Sequence, residues 1–328
     1  MKARTHITIN AGMIAIATLL TLSSCEYKDL YEDGYNNVAS LKIDFDFSGV
    51  DSIPTQFRVA LYPADETTQE NMTQGYTFYD VPNHETTLQK VPVGTFHITA
   101  WNNDIEHAIA DPKGYGSQNT LNVYTQPYAT TERHGIPDVI DSLYWGQKLY
   151  DYPDYMVHAN RKNVMVIKDE EQTVTLKVDS MVVAIDFRIG KIAGLEAVEL
   201  VKGALNNVAW RRYMAFDNLT EDTITVMFDC SCSPADSTVY GRIHVFGIEP
   251  SELEKLDHKM TLFFWLANGK VFVPLDVTKA FALTRKNKKR MTIEIDNLDI
   301  NLKDLIGTRN TFEVKVNQWE DVFIDISM

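Results

Sequence analysis

Cys25 is the residue of this chain best placed for covalent chemistry. It stands behind Ile7 to Leu22, a largely apolar stretch without an acid or a base, which follows the basic start Lys2, Arg4 and His6. The run ends in the small residues Ser23 and Ser24 and is rather short to span a bilayer, so residues 1–24 read as a secretory signal with its cleavage site. A second thiol group is Cys230-Ser231-Cys232. On a predicted strand both thiols face one side, and a disulfide between them is strained because i and i+2 lie near the upper limit of bridgeable spacing. The spacing is neither the C-x-x-C of redox enzymes nor that of zinc sites. Two small core or strand-end thiols are therefore expected at Cys230 and Cys232, and an exported location leaves a local disulfide open as the alternative.

Aromatic side chains offer a different chemistry. Asp104 to Asn160 has a weak strand pattern and carries Tyr115, Tyr124, Tyr128, Tyr144, Trp145, Tyr150, Tyr152 and Tyr155. Aromatics in long loops stack on sugar rings, or pack the loops onto a sheet. Tyr144, Trp145 and Tyr152 are the candidates for glycan contact, which gives the alternative function of a surface glycan-binding protein. Arg285-Lys286-Asn287-Lys288-Lys289-Arg290 places five bases in six residues. It reads as a solvated hairpin tip, with lipid phosphates or an acidic partner as the sharper alternative.

Other chemistries are not supported. G-x-S-x-G, H-E-x-x-H and the phosphate-cradling G-x-x-x-x-G-K-[ST] are all missing from the sequence. The eight histidines are scattered, with no pair after His6 at ligand spacing on one element. No catalysis, no cofactor and no metal are expected. The 328 residues carry 31 Lys plus Arg against 45 Asp plus Glu, a net charge of −14. That balance argues against nucleic acid as a partner, since such binding rests on basic residues. Residues 1–24 hold two of the bases and no acid, so a chain starting at Cys25 has 29 − 45 = −16.

Period-2 alternation dominates beyond the leader. It runs through Leu41, Ile43, Phe45 and Phe47; Phe57, Val59 and Leu61; Phe96, Ile98 and Ala100; Val174, Leu176 and Val178; and Val183, Ile185, Phe187 and Ile189. It continues through Ile224 to Phe228, Ile243 to Phe246, Leu262 to Leu266, Ile293 and Ile295, and Val314 to Ile326. These short runs are bounded by Gly, Pro, Asn or Asp, and the best helix candidate is only Pro250 to Leu256. Many short strands with few helices predict an all-β chain of two tandem antiparallel β-sandwich domains. The expected division is a leader at 1–24, an acidic tether at 25–36, an N-terminal sandwich at 37–179 and a C-terminal sandwich at 180–328.

Several segments resemble known families. Leu22-Ser23-Ser24-Cys25 resembles the lipobox of bacterial lipoproteins, which implies that Cys25 is lipidated and anchors the chain to a membrane. Lipid chains contribute about 0.8 kcal/mol per buried methylene, enough for lasting attachment. In Bacteroidetes lipoproteins, acids behind that cysteine favour the outer face, and Glu26-Tyr27-Lys28-Asp29-Leu30-Tyr31-Glu32-Asp33 is similar. The implied place is the outer membrane, with the cell surface preferred and the periplasmic face left open. Val91-Pro92-Val93-Gly94-Thr95-Phe96-His97-Ile98-Thr99-Ala100-Trp101-Asn102-Asn103 resembles a recurrent segment of Bacteroidetes fimbrial lipoproteins. Cys25 to Leu30, Leu275 to Lys279 and Val316 to Met328 resemble an uncharacterised family of that group, one carrying a domain of unknown function.

The resemblance implies transthyretin-like sandwiches, as in the subunits that anchor or form type V pili, and an adhesion or assembly role with fimbrial subunits joined by strand pairing. Stalk subunits of that kind are cut after an arginine behind the signal. Here the first arginine after Cys25 is Arg58, inside a predicted strand, so an uncleaved anchor-like or accessory subunit is expected. Five triplets resemble the Bacteroidetes O-glycosylation acceptor: Asp51-Ser52-Ile53, Asp141-Ser142-Leu143, Asp179-Ser180-Met181, Asp222-Thr223-Ile224 and Asp236-Ser237-Thr238. Ser52, Ser142, Ser180, Thr223 and Ser237 are the candidate acceptors, although Asp-Ser also favours plain turns.

Overall fold

The computed structural model describes residues 37–305, apart from 71–74, 85, 129–148, 217, 249–255, 283–288 and 297. The expected leader and tether, the Pro250 helix candidate and the strands after Val314 lie outside the described residues. Ten strands precede Met181: β1 (Val38–Gly49), β2 (Gln56–Pro63), β3 (Thr77–Pro82), β4 (Thr87–Pro92), β5 (Gly94–Asn102), β6 (Ala108–Ala110), β7 (Asn122–Thr125), β8 (Leu149–Asp151), β9 (Val157–Val166) and β10 (Glu171–Ser180). Beyond it come β11 (Val183–Ile189), β12 (Ile192–Ala193), β13 (Val198–Ala209), β14 (Arg211–Tyr213), β15 (Thr223–Asp229) and β16 (Ser231–Ser233). The last are β17 (Thr238–Val245), β18 (Lys259–Leu266), β19 (Gly269–Asp276), β20 (Arg290–Ile295) and β21 (Ile300–Asn301). Among the described residues helix is confined to short turns such as α1 (Glu66–Glu70) and α2 (Thr278–Ala282).

The first sandwich is one sheet folded over, in the order β3-β2-β5-β9-β10-β1-β4. At the fold, β9 and β10 pair only through Asp179–His158 and Ser180–Val157. Away from that corner the two strands splay into opposite layers. The side chains between the layers follow from the alternation: Leu41 and Ile43 on β1, Phe57, Val59 and Leu61 on β2, Phe96, Ile98 and Ala100 on β5, and Leu176 and Val178 on β10.

In the second sandwich a β16-β17-β11-β20 layer faces a β19-β18-β13-β15-β8 layer. Ile185 and Phe187, Leu205, Val226 and Phe228, Ile243, Leu262 and Phe264, Val273 and Ile293 fill the space between them. The all-β expectation holds, and these two layered cores are consistent with the expected pair of sandwiches. Pairing is mostly antiparallel, but β1–β10, β11–β20, β12–β21 and β15–β8 are parallel. The parallel pairs join strands far apart in sequence, whose connections cross between layers, as parallel neighbours require.

Strand pairing also crosses the expected division at 179/180. β8 is paired to β15, and the β14-β7-β6 sheet joins strands from both sides of it. A third apolar cluster fills this seam, with Ala60, Tyr62, Trp101, Leu121, Val123, Met156, Met181, Val182, Met214 and Phe246. Asp104 to Asn160, expected to be long loops, thus holds β6, β7, β8 and the start of β9. Strands of three or four residues are too short to show a period.

One close approach tests the packing. Gly203 on β13 lies opposite Phe228 on β15, and a Cβ there would stand 2.1 Å from that ring. Gly203→Ala should lower unfolding stability by about 1–3 kcal/mol through overpacking, read as a shifted urea midpoint with an unchanged slope.

Candidate functional site

The seam between the sandwiches is where side chains from distant segments converge. Asn102, ending β5, is buried: its amide donates to Tyr155 O (3.1 Å) and Asp104 Oδ1 (3.0 Å), and its oxygen accepts from Val157 N–H (2.9 Å). The Trp101-Asn102 pair of the resembling segment is therefore a brace, with the ring filling the seam and the amide tying β5 to β9. Asp154 Oδ2 accepts the N–H groups of Glu106 (2.9 Å), His107 (2.6 Å) and Ala108 (3.0 Å), which fixes the entry to β6. Across the seam Arg212 donates to the carbonyls of Met181 (2.5 Å) and Phe246 (3.3 Å). Asn160 donates to Met214 O (2.6 Å), and Lys289 is ion-paired with Asp179. Leu275 to Lys279 is structural as well: Asp276 Oδ1 accepts Thr278 N–H at the start of α2, and Thr278 Oγ1 accepts His258 N–H (2.8 Å).

The residues singled out from sequence are not brought together. Cys25, Ser142, Tyr144, Trp145 and the bases 285–288 lie outside the described residues. Tyr152 is half-buried against the second core and 6.1 Å from the His107 ring, and burial first, then nearby aspartates, push its phenol up. Tyr115 packs on Phe78 (4.8 Å), while Tyr128 and Tyr150 are buried. These described aromatics serve packing. Of the candidate acceptors, Ser52 is exposed in the β1–β2 connection, while Thr223 begins β15 and Ser237 sits half-exposed in a turn at φ 51°. Ser180 is the correction: it is buried in β10, where its hydroxyl donates to Val182 O (2.8 Å) and accepts Val182 N–H (3.3 Å).

Cys230 and Cys232 are free thiols, and no disulfide joins them. The single strand expected for them is broken, because β15 ends at Asp229 and β16 begins at Ser231. Both pack against the second core, and burial, with Asp229 adding to it, pushes the Cys230 thiol well above its ordinary range. Among the described residues no cluster of His, Cys, Asp or Glu is arranged to hold a metal ion, and no helix is long and apolar enough to cross a membrane.

A cation on an aromatic shelf escaped the sequence reading. Arg211 on β14 lays its guanidinium over Trp210 (3.7 Å to the ring centre), with Tyr124 of β7 at 5.4 Å. Tyr150 lies 5.6 Å from Trp210, ring to ring. These residues come from three stretches of chain, and only the β7–β14 and β8–β15 pairings gather them. No spacing signal in the sequence links them.

The sheet edges differ in how they are closed. β3 and β4 end in Pro82 and Pro92, β19 carries Pro274, and β16 has three residues. β20 ends its sheet with six residues free of proline, Met291, Ile293 and Ile295 pointing into the core. Among the described residues it is the edge least protected against an added strand.

Cys230 should resist alkylation by iodoacetamide at neutral pH and react on unfolding; peptide mapping of the native protein showing rapid labelling would contradict its raised thiol. For Asp104, burial alone would raise the carboxyl, but hydrogen bonds from Thr55 N–H and hydroxyl (2.8 Å each) and from Asn102 outweigh it. Its folded value is depressed, so its stabilisation is present above the ordinary aspartate range and is lost as pH falls through the depressed value. Asp104→Asn should cost about 1 kcal/mol at neutral pH and flatten the acid slope of the urea midpoint.

Comparisons with known proteins agree with this architecture. A family model described as "Domain of unknown function (DUF5119)" matches residues 24–229. Among curated proteins none matches the sequence. A candidate adhesin from Bacteroides ovatus shares the fold at a TM-score of 0.58 and 18% identity, over 88% of this chain and 98% of that one. A candidate cell adhesion protein from Bacteroides eggerthii aligns at a TM-score of 0.50 and 11% identity, over 89% and 95%. The fimbrial anchor protein Mfa2 from Porphyromonas gingivalis aligns more loosely, at a TM-score of 0.42 and 13% identity, over 78% and 89%. With the family model covering most of its length, this chain belongs to the DUF5119 family, and its fold is that of Bacteroides candidate adhesins.

Proposed function

We propose that this chain is a non-catalytic adhesion or assembly subunit of the bacterial envelope, anchored to the outer membrane through a lipid on Cys25. The observation that carries the subunit type is the placement of β1. It lies inside its sheet between β10 and β4, with Leu41 and Ile43 fully buried. Arg58 sits mid-strand with neighbours on both sides, paired to Asp80 by two bonds of 2.7 Å. Removal of β1 by a cut at Arg58 would open the first core and break an internal strand. An uncleaved anchor or accessory role fits this construction better than a polymerising stalk role. Among the described residues β20 ends its sheet, which supports it as a place for strand pairing with a fimbrial partner.

The test is made in intact cells. Cys25→Ala should move the protein from the membrane fraction to a soluble one, and the mature chain should retain β1 by N-terminal analysis. Unchanged fractionation would refute the anchor, and a mature chain beginning after Arg58 would refute the uncleaved role. Crosslinking followed by identification of what copurifies should return other envelope subunits.

A further inference from the structure

We propose that Arg211, with Tyr124, Trp210 and Tyr150, forms a binding site for the carboxylate of a short acidic saccharide. The site is separate from the lipid anchor and from the β20 edge, and it does not rest on either.

Among the described residues, every other arginine is satisfied by an acceptor. Arg58 donates to Asp80, Arg188 to Asp296, and Arg242 and Arg290 to Asp186; Arg161 donates to Thr175 O, and Arg212 to Met181 O. Arg211 has no such acceptor, and its Nε is buried without a hydrogen-bond partner. In a chain with 45 acids and 31 bases, an arginine that meets no carboxylate is held away from them by its surroundings. Those surroundings are aromatic. A cation over ring faces keeps part of its attraction, but its donors still call for an acceptor.

The shelf is rigid before any ligand arrives. Arg211 and Tyr124 are partners in the β14–β7 ladder. Thr220 N–H donates to Arg211 O (3.2 Å), and Trp210 N–H donates to Asp222 O (3.0 Å). The indole Nε1 donates to Thr125 O (3.4 Å). Tyr124, Trp210 and Arg211 are each half-buried, so part of the group faces solvent. Burial pushes the Tyr150 phenol up while the charge of Arg211 draws it back, which puts that phenol within the field of the guanidinium.

The chemistry of the occupant follows. A guanidinium fork matches a carboxylate bidentately. Ring faces beside it accept the C–H face of a pyranose, and the half-buried Tyr124 supplies a phenol for its hydroxyls, with the buried Tyr150 backing Trp210. A sugar acid carries all three complements on one stiff frame, whereas an acidic peptide brings the carboxylate on a flexible stem that loses more freedom on binding. The negative charge of the whole chain repels long polyanions, which favours a short saccharide.

The test titrates the full chain with D-galacturonic acid, D-galactose and the peptide Gly-Glu-Gly, followed by saturation-transfer NMR. Galacturonic acid should bind saturably and more tightly than the other two. Arg211→Gln should weaken it at least about tenfold, the ratio for a lost charge-assisted hydrogen bond. Arg211→Lys keeps the charge without the fork and should also weaken it, which preserves the test if the Gln variant fails to fold. Arg161→Gln, with a different partner elsewhere on the surface, should change nothing. Equal binding of galactose, tighter binding of the peptide, unchanged binding by both Arg211 variants, or no saturable binding by any probe would each overturn the proposal.

Discussion

Trp101 and Ile98 sit on the same strand and face opposite ways, yet both are buried. β2 and β5 carry apolar side chains on both faces: Phe57, Val59 and Leu61 line the first core while Ala60, Tyr62 and Trp101 line the seam. A sheet buried on one face alone shows clean alternation with polar residues outward. Here the second face must also be covered, and β6, β7 and the Met214 turn cover it. This double burial dictates the rest. It draws strands from before and after Met181 into a shared sheet, and it brings Tyr124, Trp210 and Arg211 side by side.

The seam is fastened by polar groups as well as apolar ones. Asn102, Asp154, Asn160 and Arg212 each satisfy backbone groups that a loop or a sheet end would leave exposed or orphaned. Because buried carbonyls and N–H groups must find partners, these side chains specify which turns meet, where apolar packing alone would allow sliding. The segments resembling fimbrial lipoproteins fall on such fastenings, as Trp101-Asn102 and Asp276-Thr278 show. Resemblance therefore tracked the fold better than any ligand site.

How much was legible depended on length and on locality. Strands of six or more residues with inward Ile, Val, Leu or Phe, such as β1, β11 and β18, announced themselves by period. β6, β8 and β14, at three residues each, did not, and neither did the parallel partnerships, which join residues 76 or more positions apart. Cys230 and Cys232 look like neighbours on one strand because nothing in Asp229-Cys230-Ser231 signals a break. Asp179-Ser180 looked like a turn and proved to be the end of β10, its hydroxyl turned back onto Val182. The Arg211 shelf is the extreme case: its members are ordinary one by one, and only the fold makes them a group.

The parallel pairing of β1 with β10 has a mechanical side. A pull on the chain ahead of Val38 runs along β1, flanked by β10 on one side and β4 on the other. The bonds to both neighbours lie across that direction, so they share the load instead of opening one after another. Resistance to such a pull is a matter of unfolding rate rather than equilibrium stability. A pull applied ahead of Val38 would thus meet the first strand as a grip, held by both of its neighbours at once.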